Sequence, residues 1–170
     1  MKKIVIIGPE STGKSTLTKA LANHFNCPYV EEYAREYIDL LNGKYDKEDI
    51  LSIAKKQIEL EDGITSKKPY LFLDTDLIVC KVWSEFKYGH CDPWILEQIE
   101  KRHYDHYLLC DIDIPWVNDG LREHPKHRKE LFNIYANELT TLNKTYSIVS
   151  GGHNFRLKNA IDTLTNLNIT

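Results

Sequence analysis

The sequence predicts an α/β protein, with a parallel sheet covered by helices on both faces. Three observations predict it. Short β-branched or apolar runs alternate with longer stretches of helical periodicity from end to end. Parallel strands need crossover connections, and helices of this length supply them. The first strand runs into a glycine-bearing loop, "GPESTGKSTL", that opens a helix. The third apolar run ends in an aspartate, "YLFLD", at the end of the strand where open α/β sheets present ligands.

Each element has its own local reason. Lys2 to Ile7 is a short β-branched run and reads as a buried strand. Gly13 to Phe25 is helical, with Leu17, Ala20 and Leu21 on one stripe. Cys27 to Val30 reads as a short second strand opened by Pro28. Glu31 to Leu41 is helical and stops at Asn42-Gly43. Asp46 can cap the next helix, Tyr45 can staple onto Ile50, and Ile50, Ile53, Ala54 and Ile58 carry it to about Asp62. Tyr70 to Asp74 is the third strand, followed by a helix to about Phe86 and a loop over "KYGHCDP". Asp92 and Pro93 open a further helix. A fourth strand ends near Asp111, and the polar stretch "IPWVNDGLREHPKHR" after it is irregular. Helix resumes over about Lys126 to Leu142, Tyr146 to Ser150 is the fifth strand, "GGHNF" is a turn, and Arg156 to Leu167 is the last helix.

Composition narrows the function. With 170 residues, 42% hydrophobic and 28% charged, residues 1–170 are expected to form one globular domain. The formal net charge of −3 argues against nucleic acid as the main partner. No apolar run reaches membrane-span length, and the run after "MKK" ends in a Gly-Pro-Glu loop instead of a cleavage site, so neither a membrane segment nor a signal peptide is expected. Cys27, Cys80, Cys91 and Cys110 lack CxxC spacing and read as free thiols of a cytoplasmic protein. His103 and His106, and the His90-Cys91-Asp92 run, have no second half of a metal site. A homo-oligomer is left open.

The chemistry starts at the loop. Gly8, Gly13, Lys14 and Ser15 match G-x-x-x-x-G-K-[ST]. The glycines let backbone N–H groups face phosphate oxygens, Lys14 reaches the β- and γ-phosphates, and Ser15 ligates Mg²⁺. The helix that begins here adds the positive end of its dipole. A guanine-reading Asp is missing after Asn143-Lys144, where Thr145 and Tyr146 follow, which excludes a typical GTP switch. The third strand ends "DTD" where a hydrolase would place Asp-Glu. Asp74 can hold the Mg²⁺ shell, and Asp74 or Asp76 can take a proton from an acceptor hydroxyl, although Asp76 can equally cap the following helix. Arg122 and Arg128 lie in a segment suited to closing over a transferring phosphoryl group. Gly152, in the turn after the fifth strand, can approach an adenine ring, and Arg156 can stack on the base or pair with a helix neighbour. Glu31 and Glu32 stand at the ligand edge after the second strand, where a carboxylate can grip a sugar hydroxyl or serve as base, with Glu32, Arg35 and Glu36 spaced for pairing along a helix. Together these features predict a small-molecule kinase.

Four blocks, "GPESTGKSTL", "EEYAREY", "LFLDTDLIVCKVWSEFKYG" and "YLLCDIDIPWVNDGLREHP", resemble the ribosylnicotinamide kinase domain of NadR-type proteins. The resemblance implies a three-layer P-loop kinase fold whose five-stranded parallel sheet has the order 2-3-1-4-5. It implies ATP-dependent phosphorylation of the 5′-hydroxyl of nicotinamide riboside. On that basis Gly8, Glu10, Ser11, Thr12, Gly13, Lys14, Ser15 and Thr16 would bind ATP and Mg²⁺, with Arg128, Gly152 and Arg156 also on the nucleotide side. Lys14, Asp74, Asp76 and Arg122 would be catalytic, with Ser15 and Asp74 on the metal and residues 115–128 forming a lid. Glu31, Glu32, Tyr33, Arg35, Trp83, Asn118 and Asp119 would face the acceptor, whose cationic ring suits aromatics and carboxylates. NadR-type proteins often carry a nucleotidyltransferase domain, and some a DNA-binding segment. This chain opens at the phosphate-loop strand, so adenylyl transfer and repression are not expected of it. Two alternatives stay open: a kinase of another nucleoside or small metabolite, and a non-catalytic nucleotide-binding regulator.

Overall fold

The computed structural model describes residues 1–118, 120 and 122–167. Its order is β1 (Lys2–Ile7), α1 (Lys14–Phe25), β2 (Tyr29–Val30), α2 (Tyr33–Leu40), α3 (Lys47–Asp62), β3 (Tyr70–Asp74), α4 (Leu77–Tyr88), α5 (Pro93–Lys101), β4 (His106–Cys110), α6 (Arg128–Thr141), β5 (Tyr146–Val149) and α7 (His153–Asn166). The five strands form one sheet in the order β2-β3-β1-β4-β5, and every pairing is parallel. The order and the parallel pairing are those the resemblance implied.

The period-two alternation of β1 divides the core. Val5 and Ile7 face a cluster built with α2 to α6, and Ile4 and Ile6 face a second one built with α1 and α7. All four are fully buried, which is why β1 is apolar without a polar face. Each side chain of this size contributes about 1.5–3 kcal/mol on burial. No described helix is long and apolar enough to cross a membrane.

Capping chemistry sets several boundaries. Asp46 accepts from the N–H groups of Glu48 and Asp49, and Asp49 accepts in return from Asp46, a reciprocal box that opens α3. Asp92 accepts from Trp94 at 2.8 Å to open α5, with Pro93 in its first turn. Five boundaries differ from expectation. The second strand keeps only Tyr29 and Val30, because Asn26 turns left-handed and Cys27 bonds back to Ala22. Helix α2 starts at Tyr33, because Glu32 is extended. Helix α4 continues to Tyr88, where Gly89 takes the left-handed cap. A turn from His124 to His127 delays α6 to Arg128. Only Gly151 and Gly152 make the turn after β5, and His153 already begins α7.

Candidate active site

The loop between β1 and α1 is built from backbone constraints. Gly8 has φ of 141°, and a Cβ there would lie 2.9 Å from the Cys110 carbonyl oxygen. Gly13 is left-handed, with φ of 78°, and turns the chain into α1. Thr12 is buried and donates to the Pro9 carbonyl at 2.7 Å, so its side chain braces the loop. The Lys14 ammonium curls over the loop to the same carbonyl at 3.1 Å. Its acceptor there is a neutral carbonyl, and an anionic phosphate oxygen would turn the bond into an ion pair.

Carboxylates gather at the carboxyl ends of β2 and β3. Asp74 is 3% exposed, and its Oδ1 has no hydrogen-bond partner among the described residues. Burial first, and the nearby Glu32 charge second, push its carboxyl up to about 7, against the pull of Lys14 and the Ser15 hydroxyl. Thr75 then takes φ of 75°, a strained conformation for a β-branched residue. The strain re-aims the chain. Asp76 caps α4 through Ile78 N–H at 3.0 Å and accepts the Tyr107 hydroxyl at 2.7 Å. Both Asp76 oxygens are thereby used, and burial holds this carboxyl up at about 6. Asp76 therefore caps α4, the second of the two readings that its sequence position offers.

A single cleft runs from the loop to α4. Residues 8–16 form one side, and Val79, Val82, Trp83 and Phe86 form the other, with Glu32, Ala34 and Arg35 between them. Of the acceptor-side expectations, Glu32, Arg35 and Trp83 line this cleft. Glu31 and Tyr33 do not. Glu31 pairs with Lys19 at 2.9 Å on the exposed sheet edge. Tyr33 gives its backbone N–H to Gln57 and its ring to Tyr37. The physical reason is phase: with helix beginning at Tyr33, Ala34, Arg35 and Ile38 turn inward. Asn118 is exposed and closes a turn onto Gly120 N–H, away from the cleft. Asp119 lies outside the described residues.

The segment between β4 and α6 is bonded across the loop. Ser11 Oγ donates to the Pro115 carbonyl at 3.5 Å and accepts from Val117 N–H at 2.9 Å and Arg122 Nη1 at 3.3 Å. Arg128 donates to the Ile114 and Ser11 carbonyls at 2.9 and 3.1 Å. Glu10, expected on the nucleotide, instead accepts the backbone N–H groups of Glu123 and His124 at 3.1 and 3.2 Å. Arg156, expected near the base, is 3% exposed and ties Gly151, Thr12 and Asp111 carbonyls to the Asp113 carboxylate. Its guanidinium is a strut between β4, β5 and the loop. Gly152 is the cap position before α7, and a second, smaller pocket is lined by Gly13, Thr16, Ile114, His153 and Arg156.

Sequence reasoning missed Tyr45, Phe86, Glu123 and His124, all of which line the cleft. Tyr45 packs against the core cluster that holds Ile50, and its ring also meets Trp83 at 4.9 Å, edge to face. For Phe86 the signal was present: Val79, Val82, Trp83 and Phe86 repeat at i, i+3, i+4 and i+7, one face of a helix. Glu123 and His124 sit in an aperiodic stretch with no comparable signal.

A family profile described as AAA domain matches residues 3–156. The trifunctional NAD biosynthesis/regulator protein NadR of Salmonella typhimurium is 30% identical over 128 residues, 72% of this chain and 31% of that protein. A NadR protein in complex with NAD and AMP-PNP aligns at a TM-score of 0.74 and 26% identity, over 99% of this chain and 50% of that one. Another NadR structure, in complex with NR, aligns at 0.71 and 25% identity, over 97% and 50%. The chain therefore spans 31% to 50% of the length of these relatives. The resemblance carried by the four sequence blocks is thus met in sequence and in fold, and the chain belongs to the AAA domain family, as a member similar to NadR.

Proposed function

We propose that this chain is a ribosylnicotinamide kinase, transferring the terminal phosphoryl group of ATP to the 5′-hydroxyl of nicotinamide riboside and giving nicotinamide mononucleotide. The observation that carries this reading is the continuous cleft, with a phosphate loop on one side, an apolar aromatic wall on the other and a carboxylate between them. A switch or motor has no use for the second wall. A kinase for a flat-ringed acceptor needs it to place the hydroxyl in line. Support for the two substrates comes from NadR, named for NAD biosynthesis and solved with NR and with AMP-PNP.

In this reading the loop amides and Lys14 hold the β- and γ-phosphates. Arg122, which also lines the cleft, neutralises the transferring group. Residues 115–128 act as the lid that excludes water. Glu32 lines the cleft and takes the proton of the 5′-hydroxyl; Asp76 lies outside that lining, with each oxygen already accepting a bond. Ser15 and Asp74 fit Mg²⁺ and would hold it, since a buried carboxylate oxygen without a partner among the described residues, beside a hydroxyl, is an oxygen-donor set. Bound there, Mg²⁺ supplies charge neutralisation to the phosphates. A cytoplasmic setting supplies ATP and keeps the four thiols reduced.

A coupled ADP-release assay over a panel of nucleosides tests the proposal. Nicotinamide riboside is expected to be the preferred acceptor. Turnover of uridine or thymidine without turnover of nicotinamide riboside would overturn it. Lys14→Ala is expected to lower kcat by about 10²-fold or more, the loss typical of one preorganised charge-stabilising donor. Normal turnover by that variant would remove Lys14 from the mechanism.

A further inference from the structure

Beyond its place in residues 115–128, Glu123 holds both walls of the cleft at once. Its backbone N–H is bonded to the Glu10 carboxylate of the phosphate loop at 3.1 Å. Its side chain reaches the opposite wall, where Oε2 accepts the Tyr45 hydroxyl at 2.5 Å. Tyr45 in turn accepts from Trp83 Nε1 at 2.9 Å. Lys87 closes the cluster, 3.1 and 3.3 Å from the two Glu123 oxygens and 3.7 Å above the Tyr45 ring. Tyr45 and Trp83 therefore take their orientation from a residue that the phosphate loop positions.

The segment carrying Glu123 is held by polar bonds more than by core. Val117 is 60% exposed, and Asn118, Gly120 and Glu123 are exposed or half-exposed. Such a segment opens at lower free energy than the sheet and its helices. Two sites that share a movable element are thermodynamically linked, and the linkage is reciprocal.

We propose that Glu123 is a positioning residue that couples nucleotide occupancy of the phosphate loop to the set of the Tyr45–Trp83 wall, so that donor and acceptor bind with positive cooperativity. The cooperativity rests on the kinase reading above; the link from loop to wall does not. It requires only that nucleotide bind the loop.

The full chain carrying Trp94→Phe and Trp116→Phe leaves Trp83 as the sole indole. AMP-PNP with Mg²⁺ is expected to change Trp83 emission in this background, and Glu123→Ala is expected to abolish the change while nucleotide still binds. Glu123→Gln keeps an oxygen for the Tyr45 hydroxyl and is expected to restore part of it. With nicotinamide riboside, AMP-PNP is expected to tighten acceptor binding by about 5-fold or more in the parent and by none in Glu123→Ala, within the range typical of coupled sites. An emission change that persists in Glu123→Ala, or that is missing from the parent, overturns the proposal. An intact emission change without riboside binding overturns only the choice of acceptor and leaves the link in place.

Discussion

Three carboxylates stand close together after β2 and β3, and burial assigns them different work. Glu32 lines the cleft, Asp74 is buried with an oxygen to spare, and Asp76 is buried with both oxygens bonded. The sequence offers either acid of "DTD" to the acceptor hydroxyl, with capping as a second reading of Asp76. What separates them is the positive φ of Thr75, and no residue type announces that a threonine will be strained. Glu31 and Glu32 are likewise adjacent letters, separated by where α2 begins. Glu32→Gln is expected to lower kcat by about 10²- to 10⁴-fold, the usual contribution of a general base, with nucleotide affinity unchanged. Asp76→Asn should keep turnover near that of the parent and lose stability, because a charged acceptor of the Tyr107 hydroxyl is replaced by a neutral one, at a cost of about 1–3 kcal/mol. Steady-state kinetics and thermal melts on both variants separate the roles. An inactive Asp76→Asn beside an active Glu32→Gln would return the proton transfer to Asp76.

At the scale of elements, periodic pieces were legible and aperiodic ones were not. The stripe of α4 spells out the aromatic wall, because one helix face is a fixed set of positions. The phosphate loop was legible because its glycines answer a backbone demand: at Gly8 a side chain would strike the Cys110 carbonyl. The β4–α6 segment offers no period. Its docking depends on individual bonds to Ser11 and Glu10, two positions that the resemblance assigns to the nucleotide. Glu10→Ala removes the acceptor of two consecutive segment N–H groups. Amide exchange at Glu123 and His124 is then expected to speed up by about 5- to 10-fold, the equivalent of roughly 1–1.5 kcal/mol for bonds to a charged, partly exposed acceptor. Hydrogen exchange read by mass spectrometry on the segment peptide checks this. Unchanged exchange would mean that Ser11 and the arginines hold the segment without Glu10.

At the scale of the whole molecule, the parallel sheet sends its carboxyl ends to one pole and leaves the other to stability alone. The α/β class was legible because the strands are short, apolar and separated by helical periods. The strand order was not in the spacing at all and came with the family resemblance. Nor did anything in the sequence mark the amino-terminal pole, where residues far apart in the chain meet. Glu61, at the end of α3, is 4% exposed and accepts from Lys3 at 2.6 Å, Arg102 at 3.0 Å and Tyr104 at 2.9 Å. Lys3 is the second residue of β1 and Tyr104 precedes β4, so the cluster lies across the sheet from the phosphate loop. Removing Glu61 leaves Arg102 paired with Asp62 and Lys3 partly solvated, so the loss is that of the hydrogen bonds to a charged acceptor, about 1.5–3 kcal/mol. For a chain of this size each kcal/mol moves Tm by about 2–4 °C, so Glu61→Ala is expected to lower it by roughly 3–12 °C. The KM for either substrate should stay at the parent value below the new Tm, because the cleft and this cluster share no side chain. Melting curves and kinetics on the same preparation test both halves. A KM that rises with the fall in Tm would show that the two poles are mechanically joined through the sheet.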